Sequence, residues 1–174
     1  MEEQLVGLYH ERQRKQLCLV HALNALLQKP EFTQESLDQI CYSLNDSRWF
    51  NPHKSMLNLG NYDVNVLMAA LAIHDIQVTW FDVRQDASRI DFSMVKGLIF
   101  NIPSTRFIPF WNGRHWFSVL RLPSGQFANL DSHLSSPEHV PDILGFTRDL
   151  LARPGGNVQL LIVSEGNQQV LMHE

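Results

Sequence analysis

The stretch HWFSVLRLPSGQFANLD, residues 115–131, decides how the second half of the chain folds. Branched and aromatic residues fill 115–122, Pro-Ser-Gly interrupts them at 123–125, and QFANLD resumes the pattern. This predicts an antiparallel hairpin centred near Ser124. His115 then lies across from residues around 131–133. Side chains alternate faces along a strand. An even register puts His115 and Asp131 on one face, directly or diagonally adjacent, and an odd register parts them. On a shared face Asp131 can accept an imidazole N–H, fix its tautomer and stabilise the imidazolium. The same two residues can equally be a polar pair that closes the hairpin end.

Working outward, residues 76–81, 97–102, 126–130 and 157–163 also read as strands. A helix is expected over 138–152, with Pro141 tolerated in its first turn. The first half has the other period. Leu19, Ala22, Leu23 and Leu26 follow the i, i+3, i+4, i+7 rule, which predicts a helix from near Cys18 to Gln28, ending before Pro30. No Ser, Thr, Asp or Asn stands at its N-cap. Thr33 caps a second expected helix with stripe Leu37, Ile40, Cys41 and Leu44. Asp63 caps a third, with stripe Val64, Leu67, Met68 and Leu71. Helices first and strands later give an α+β class, not repeating βαβ units. With no internal repeat or long linker, residues 1–174 read as one domain.

The bulk numbers narrow the function. Hydrophobic residues are 44% and charged ones 18%, a globular composition. The net charge of -4 carries no basic excess, which argues against nucleic acid as main partner. The longest apolar run, residues 66–73, is too short to span a membrane. Glu2 and Glu3 open the chain where a signal peptide would be basic and then apolar. Two cysteines cannot build a disulfide framework, so a reducing cytosolic or nuclear setting is expected.

The two cysteines differ. Cys41 lies on an apolar helical stripe and reads as structural. Cys18 lies at a helix start, where unpaired N–H groups and the dipole favour a thiolate. Packing alone also explains a cysteine there, so its partners decide. A thiol nucleophile needs a base, and the base an orienting group. His21, three residues on, shares the helical face of Cys18 but has no evident orienting partner. His115 has Asp131. Gln13, five residues before Cys18, can donate amide N–H groups to the oxyanion that sulfur attack creates, with the backbone N–H of Cys18 as a second donor. The order Gln, Cys, His, Asp is that of papain-like cysteine hydrolases.

YHERQRKQLCLVHALNALLQ resembles the opening signature of the Josephin domain, and GNYDVNVLMAAL, RHW and NLDS resemble the short Josephin proteins. The similarity spans about residues 8–164. It implies a papain-like fold and thiol-dependent cleavage after the C-terminal glycine of ubiquitin, with ubiquitin conjugates as partners. It implies Cys18 as nucleophile, His115 as base and then acid, Gln13 as oxyanion donor and Asp131 as orienting residue. Longer relatives of the ataxin-3 type have Asn at the Asp131 position. Because this sequence has no polyglutamine tract or ubiquitin-interacting helices, a strong preference for long ubiquitin chains is not expected. No cofactor or metal is implied, and a monomer suffices.

Trp116, beside the base, is a candidate wall for a narrow cleft around the glycine-ended ubiquitin tail. FIPFW, residues 107–111, is either an apolar contact for ubiquitin or simply packed. The stretch 45–60 is either an arm over the cleft or a surface loop. Three rival readings remain: a cysteine acyltransferase with the same triad, a silent ubiquitin-binding module, and a zinc protein. Cys18-x-x-His21 offers zinc two ligands at most, with no second close pair. A thioredoxin-like oxidoreductase would need C-x-x-C.

Overall fold

The 115–131 hairpin forms as its alternation demands. In the computed structural model, β3 (Gly113–Arg121) runs antiparallel to β4 (Phe127–Asn129). Val119 pairs with Asn129, Leu120 with Ala128 and Arg121 with Phe127, symmetric about Ser124. The register is therefore even. Gly125 closes the turn at φ 85°, a left-handed conformation that glycine adopts without strain, while the Leu122 N–H donates to the Gln126 carbonyl at 2.7 Å. The structure describes residues 5–14, 17–44, 63–104, 113–154, 157–166 and 169–171. The stretches 45–60 and 107–111 lie outside them.

The hairpin is the middle of a six-stranded sheet with β1 (Ile76–Trp80), β2 (Gly97–Ser104), β5 (Glu138–Val140) and β6 (Gln159–Glu165). The order is β1-β6-β2-β3-β4-β5, and every pairing is antiparallel. Alternation divides the core in two. Ile99, Trp116, Leu120 and Leu161 face α1 (Cys18–Leu27), α2 (Gln34–Ser43) and α3 (Val64–Ala72). Leu98, Phe100, Phe117 and Ile162 face the other way, under α4 (Ile143–Leu151). The α+β class stands, with helices on both faces of the sheet.

Local signals account for most helix ends. Thr33 and Ser36 form a reciprocal capping box at α2, and the Asp63 carboxylate accepts from Asn65 and Val66 N–H at α3. Leu17 precedes α1 and makes no side-chain cap, as its sequence foretold. Every residue from Cys18 to Leu26 is buried, so α1 is a core helix wedged against β3.

Two expectations are corrected. The helix expected over 138–152 is a strand, β5, followed by the shorter α4. Pro141 separates them and Asp142 caps α4 through the Gly145 N–H. On α3 the buried residues are Val66, Leu67, Ala70 and Leu71, while Met68 is 40% exposed. The helix packs against β1, α2 and α1, so its buried face turns away from the stripe that one partner would require.

Gly97 sets how closely α1 approaches. A Cβ there would lie 2.6 Å from the Val119 carbonyl oxygen and 2.7 Å from Leu26 Cδ1. Gly97→Ala is expected to cost about 1–3 kcal/mol. Thermal unfolding should show Tm lowered by roughly 3–10 °C, and an unchanged Tm would contradict this packing.

Candidate active site

His115 sits near the start of β3, and its side chain is 5% exposed. Asp131 follows β4, diagonal to His115 on the same face, as the even register requires. The His115 Nε2–H donates to Asp131 Oδ1 at 2.7 Å, because an ionised carboxylate can only accept. The second hydrogen-bond partner of the imidazole is the Cys18 thiol. With Nε2 committed to Asp131, Nδ1 is the nitrogen that remains for sulfur. Cys18 and Cys41 are both buried, at 4% and 0% exposure, so burial does not distinguish them. Contact with His115 does.

The protonation states follow from these contacts. Burial opposes charge on His115, but the hydrogen bonds and charges of Asp131 and Cys18 outweigh it and raise its pKa to about 9. Burial likewise pushes the Asp131 carboxyl up. The His115 hydrogen bond and charge, with the His133 backbone N–H, bring it below the ordinary carboxylate range. The site is organised around an imidazolium held by a carboxylate.

Gln13 reaches the same place from the N-terminal segment. Its backbone N–H donates to the Ser132 carbonyl at 2.7 Å, and the Ser132 hydroxyl donates to Gln13 Oε1 at 2.6 Å. The acceptor end of the carboxamide is thereby engaged by Ser132. What the side chain can offer an oxyanion is its N–H donors.

The segment that carries Gln13 is braced along α1. Gln28 exchanges hydrogen bonds with both backbone groups of Tyr9 (2.9 and 3.2 Å). Glu11 pairs with His21 and also accepts from Tyr9 and, at 3.1 Å, from Asn24. Asn24 in turn holds Phe32 through its N–H and carbonyl (2.7 and 2.9 Å). His10 Nε2 meets the Asp131 carbonyl at 3.0 Å, tying the segment to the loop beyond β4.

His21 therefore does have a carboxylate partner, Glu11, which sequence reading did not find. Its other nitrogen accepts the Arg14 N–H at 3.3 Å. Both ring nitrogens are thus spent on bracing the 9–14 segment. Trp116 is 4% exposed and belongs to the apolar cluster that includes Cys18 and Leu19. It points to the opposite face of β3 from His115, so it can offer a substrate an edge at most.

The comparison with known families falls on these residues. The Josephin family model matches residues 13–150, a span that contains Gln13, Cys18, His115 and Asp131. This chain belongs to the Josephin family. It is similar to Josephin-2 of Homo sapiens, with 42% identity over 90% of this chain and 87% of that protein. A Josephin-like protein of Drosophila melanogaster is 43% identical over 76% of this chain, which spans 62% of that longer relative. Ataxin-3 of Homo sapiens is 28% identical over 78% of this chain and 40% of its own length.

Three residues of this Josephin site escaped the sequence reading: Glu11, Ser132 and His133. The His133 ring stacks on His115 with centroids 3.8 Å apart and planes 9° from parallel. His115, Asp131 and His133 bring their ligand atoms within 4.8 Å of one another. Metal binding does not follow. Lone pairs of two parallel stacked rings run side by side and cannot both point at an ion about 2.1 Å from each.

Proposed function

We propose that this chain is a deubiquitinating cysteine protease that hydrolyses the bond after the C-terminal glycine of ubiquitin. The observation that carries the proposal is the contact of the Cys18 thiol with an imidazole held by Asp131, inside a chain of the Josephin family. Cys18 thiolate attacks the glycine carbonyl. Gln13 N–H and the Cys18 backbone N–H receive the charge that develops on oxygen, helped by the uncapped first turn of α1. His115 imidazolium protonates the departing lysine amine, and the neutral ring then takes a proton from water, which opens the thioester. Asp131 keeps the imidazole in one tautomer and offsets its charge throughout. Trp116, in the apolar cluster that includes Cys18, is the candidate wall of the cleft. The protein acts as a monomer in a reducing compartment, and it needs no cofactor.

A ubiquitin C-terminal amide carrying a fluorogenic leaving group tests the reading. Purified protein should release the fluorophore as its free amine and leave ubiquitin with a free C-terminal carboxylate, even with an added amine acceptor. Exclusive transfer to the amine would make it an acyltransferase.

The same assay tests the oxyanion assignment. Gln13→Ala should lower kcat about 100-fold, the usual loss for one oxyanion donor. Ser132→Ala should lower kcat less, with little change in KM. In the Gln13→Ala background, Ser132→Ala should add almost nothing, because the amide it orients is gone. Fully additive losses would show that Ser132 does not act through Gln13.

A further inference from the structure

The His133 imidazole belongs to no step above, yet it touches the centre of the site. It lies where the pairing symmetric about Ser124, if continued past β4, would place the partner of His115. The chain turns there, the Leu134 N–H closing on the Asp131 carbonyl at 2.9 Å, and the His133 ring lies flat over the base. One oxygen, Asp131 Oδ1, meets three groups. It accepts from His115 Nε2 at 2.7 Å and from the His133 backbone N–H at 2.9 Å, and it lies 3.9 Å from His133 Nδ1.

Exposure divides the two rings. The His115 side chain is 5% exposed and the His133 side chain 28%, so His133 is the ring that solvent reaches. We infer that His133 is a positioning residue that gates the triad against acid: neutral, it braces the His115 imidazolium, and protonated, it disables it. This rests on the assignment of His115 as the base.

The physics has two parts. A neutral ring presents a π face to the cationic ring beneath it, which favours the imidazolium and restricts its rotation. A protonated ring places a second cation 3.8 Å from the first and competes for the same carboxylate oxygen. Both effects of protonation weaken the Cys18 thiolate–His115 imidazolium pair. Histidine is the side chain whose ordinary charge change lies between about pH 5 and 8, so acid is what protonates the outer ring. Among the described residues, the other titratable groups at this cluster are Cys18 from α1 and His10 from the N-terminal segment, the latter on the Asp131 carbonyl.

The test is the acid limb of kcat/KM on the fluorogenic ubiquitin amide, with the fold checked by circular dichroism at each pH. Wild type should lose activity with two protons, approaching about 100-fold per pH unit at the steepest part. His133→Phe keeps a stacked ring without a titrating nitrogen, and His133→Gln removes the titration with little change in bulk. Both should give a one-proton limb, about tenfold per unit, displaced to lower pH. His10→Gln should keep the two-proton limb.

Limbs of the His133 variants that superimpose on wild type overturn the inference. So does a His10 variant that flattens the limb when the His133 variants do not. His115→Ala in the same assay keeps the two claims apart. If it is inactive while the His133 limbs superimpose on wild type, only the gate is lost. If it turns over like wild type, the base assignment fails as well.

Discussion

His115→Ala is expected to lower kcat/KM for ubiquitin-amide hydrolysis by about 1,000-fold or more, and His21→Ala by no more than about tenfold per folded molecule. The two histidines look alike on paper. Each is buried and each has a carboxylate partner, Asp131 for His115 and Glu11 for His21. They differ in what the remaining nitrogen meets. For His115 it is the thiol, and for His21 it is the Arg14 backbone N–H. Removing His115 leaves sulfur without a proton acceptor and the leaving amine without a donor. Removing His21 leaves Glu11 Oε2 without its histidine, though Tyr9 and Asn24 still donate to Oε1; this should cost about 1–3 kcal/mol of stability and loosen the segment that holds Gln13. Equal losses of turnover, corrected for folding, would contradict the division of labour.

The raised pKa of His115 gives this prediction a pH signature. The folded site holds the His115 imidazolium through neutrality and loses its proton above about pH 9. The alkaline limb of wild-type kcat/KM should therefore lie near pH 9. Asp131→Asn, which keeps a hydrogen-bond acceptor but removes the charge, should bring that limb down toward neutrality.

Much of this site was legible before any coordinates, and the hairpin shows why. A short turn with Pro and Gly puts the hairpin's centre near Ser124, and alternation puts His115 and Asp131 on one face for an even register, which the pairing of Val119 with Asn129 then supplies. His133, opposite His115 in that register, is not singled out by sequence, because the turn alone leaves both registers open. Helix starts at Thr33 and Asp63 were legible because capping is local.

What stayed hidden depends on contacts between segments far apart in the chain. Ser132 orients Gln13 across more than a hundred residues, and no periodicity in either stretch records it. Glu11 reaches His21 only because residues 9–14 lie back along α1, a path set by Gln28 and Asn24. The break between β5 and α4 had its signals in Pro141 and Asp142. A proline is tolerated in a first helical turn, however, and the strand before it exists only because β4 is there to pair with. The α3 face differs for a related reason, since β1, α2 and α1 together decide which residues it buries.

The most direct test of the account is covalent. A ubiquitin whose C-terminus carries an electrophile is bound like substrate and captures the thiol that attacks the scissile carbonyl. Cys18 meets the His115 imidazole, whereas Cys41 is fully buried on α2. Cys41→Ala shortens a side chain in the core and should cost about 1–2 kcal/mol, leaving the contact of Cys18 with His115 in place. The measurement is the mass shift of the purified protein after incubation with the probe. Wild type and Cys41→Ala should gain one ubiquitin, and Cys18→Ala should gain none. Cys18→Ala labelled to the extent of wild type, or labelling abolished in a folded Cys41→Ala, would contradict the assignment of Cys18 as the nucleophile.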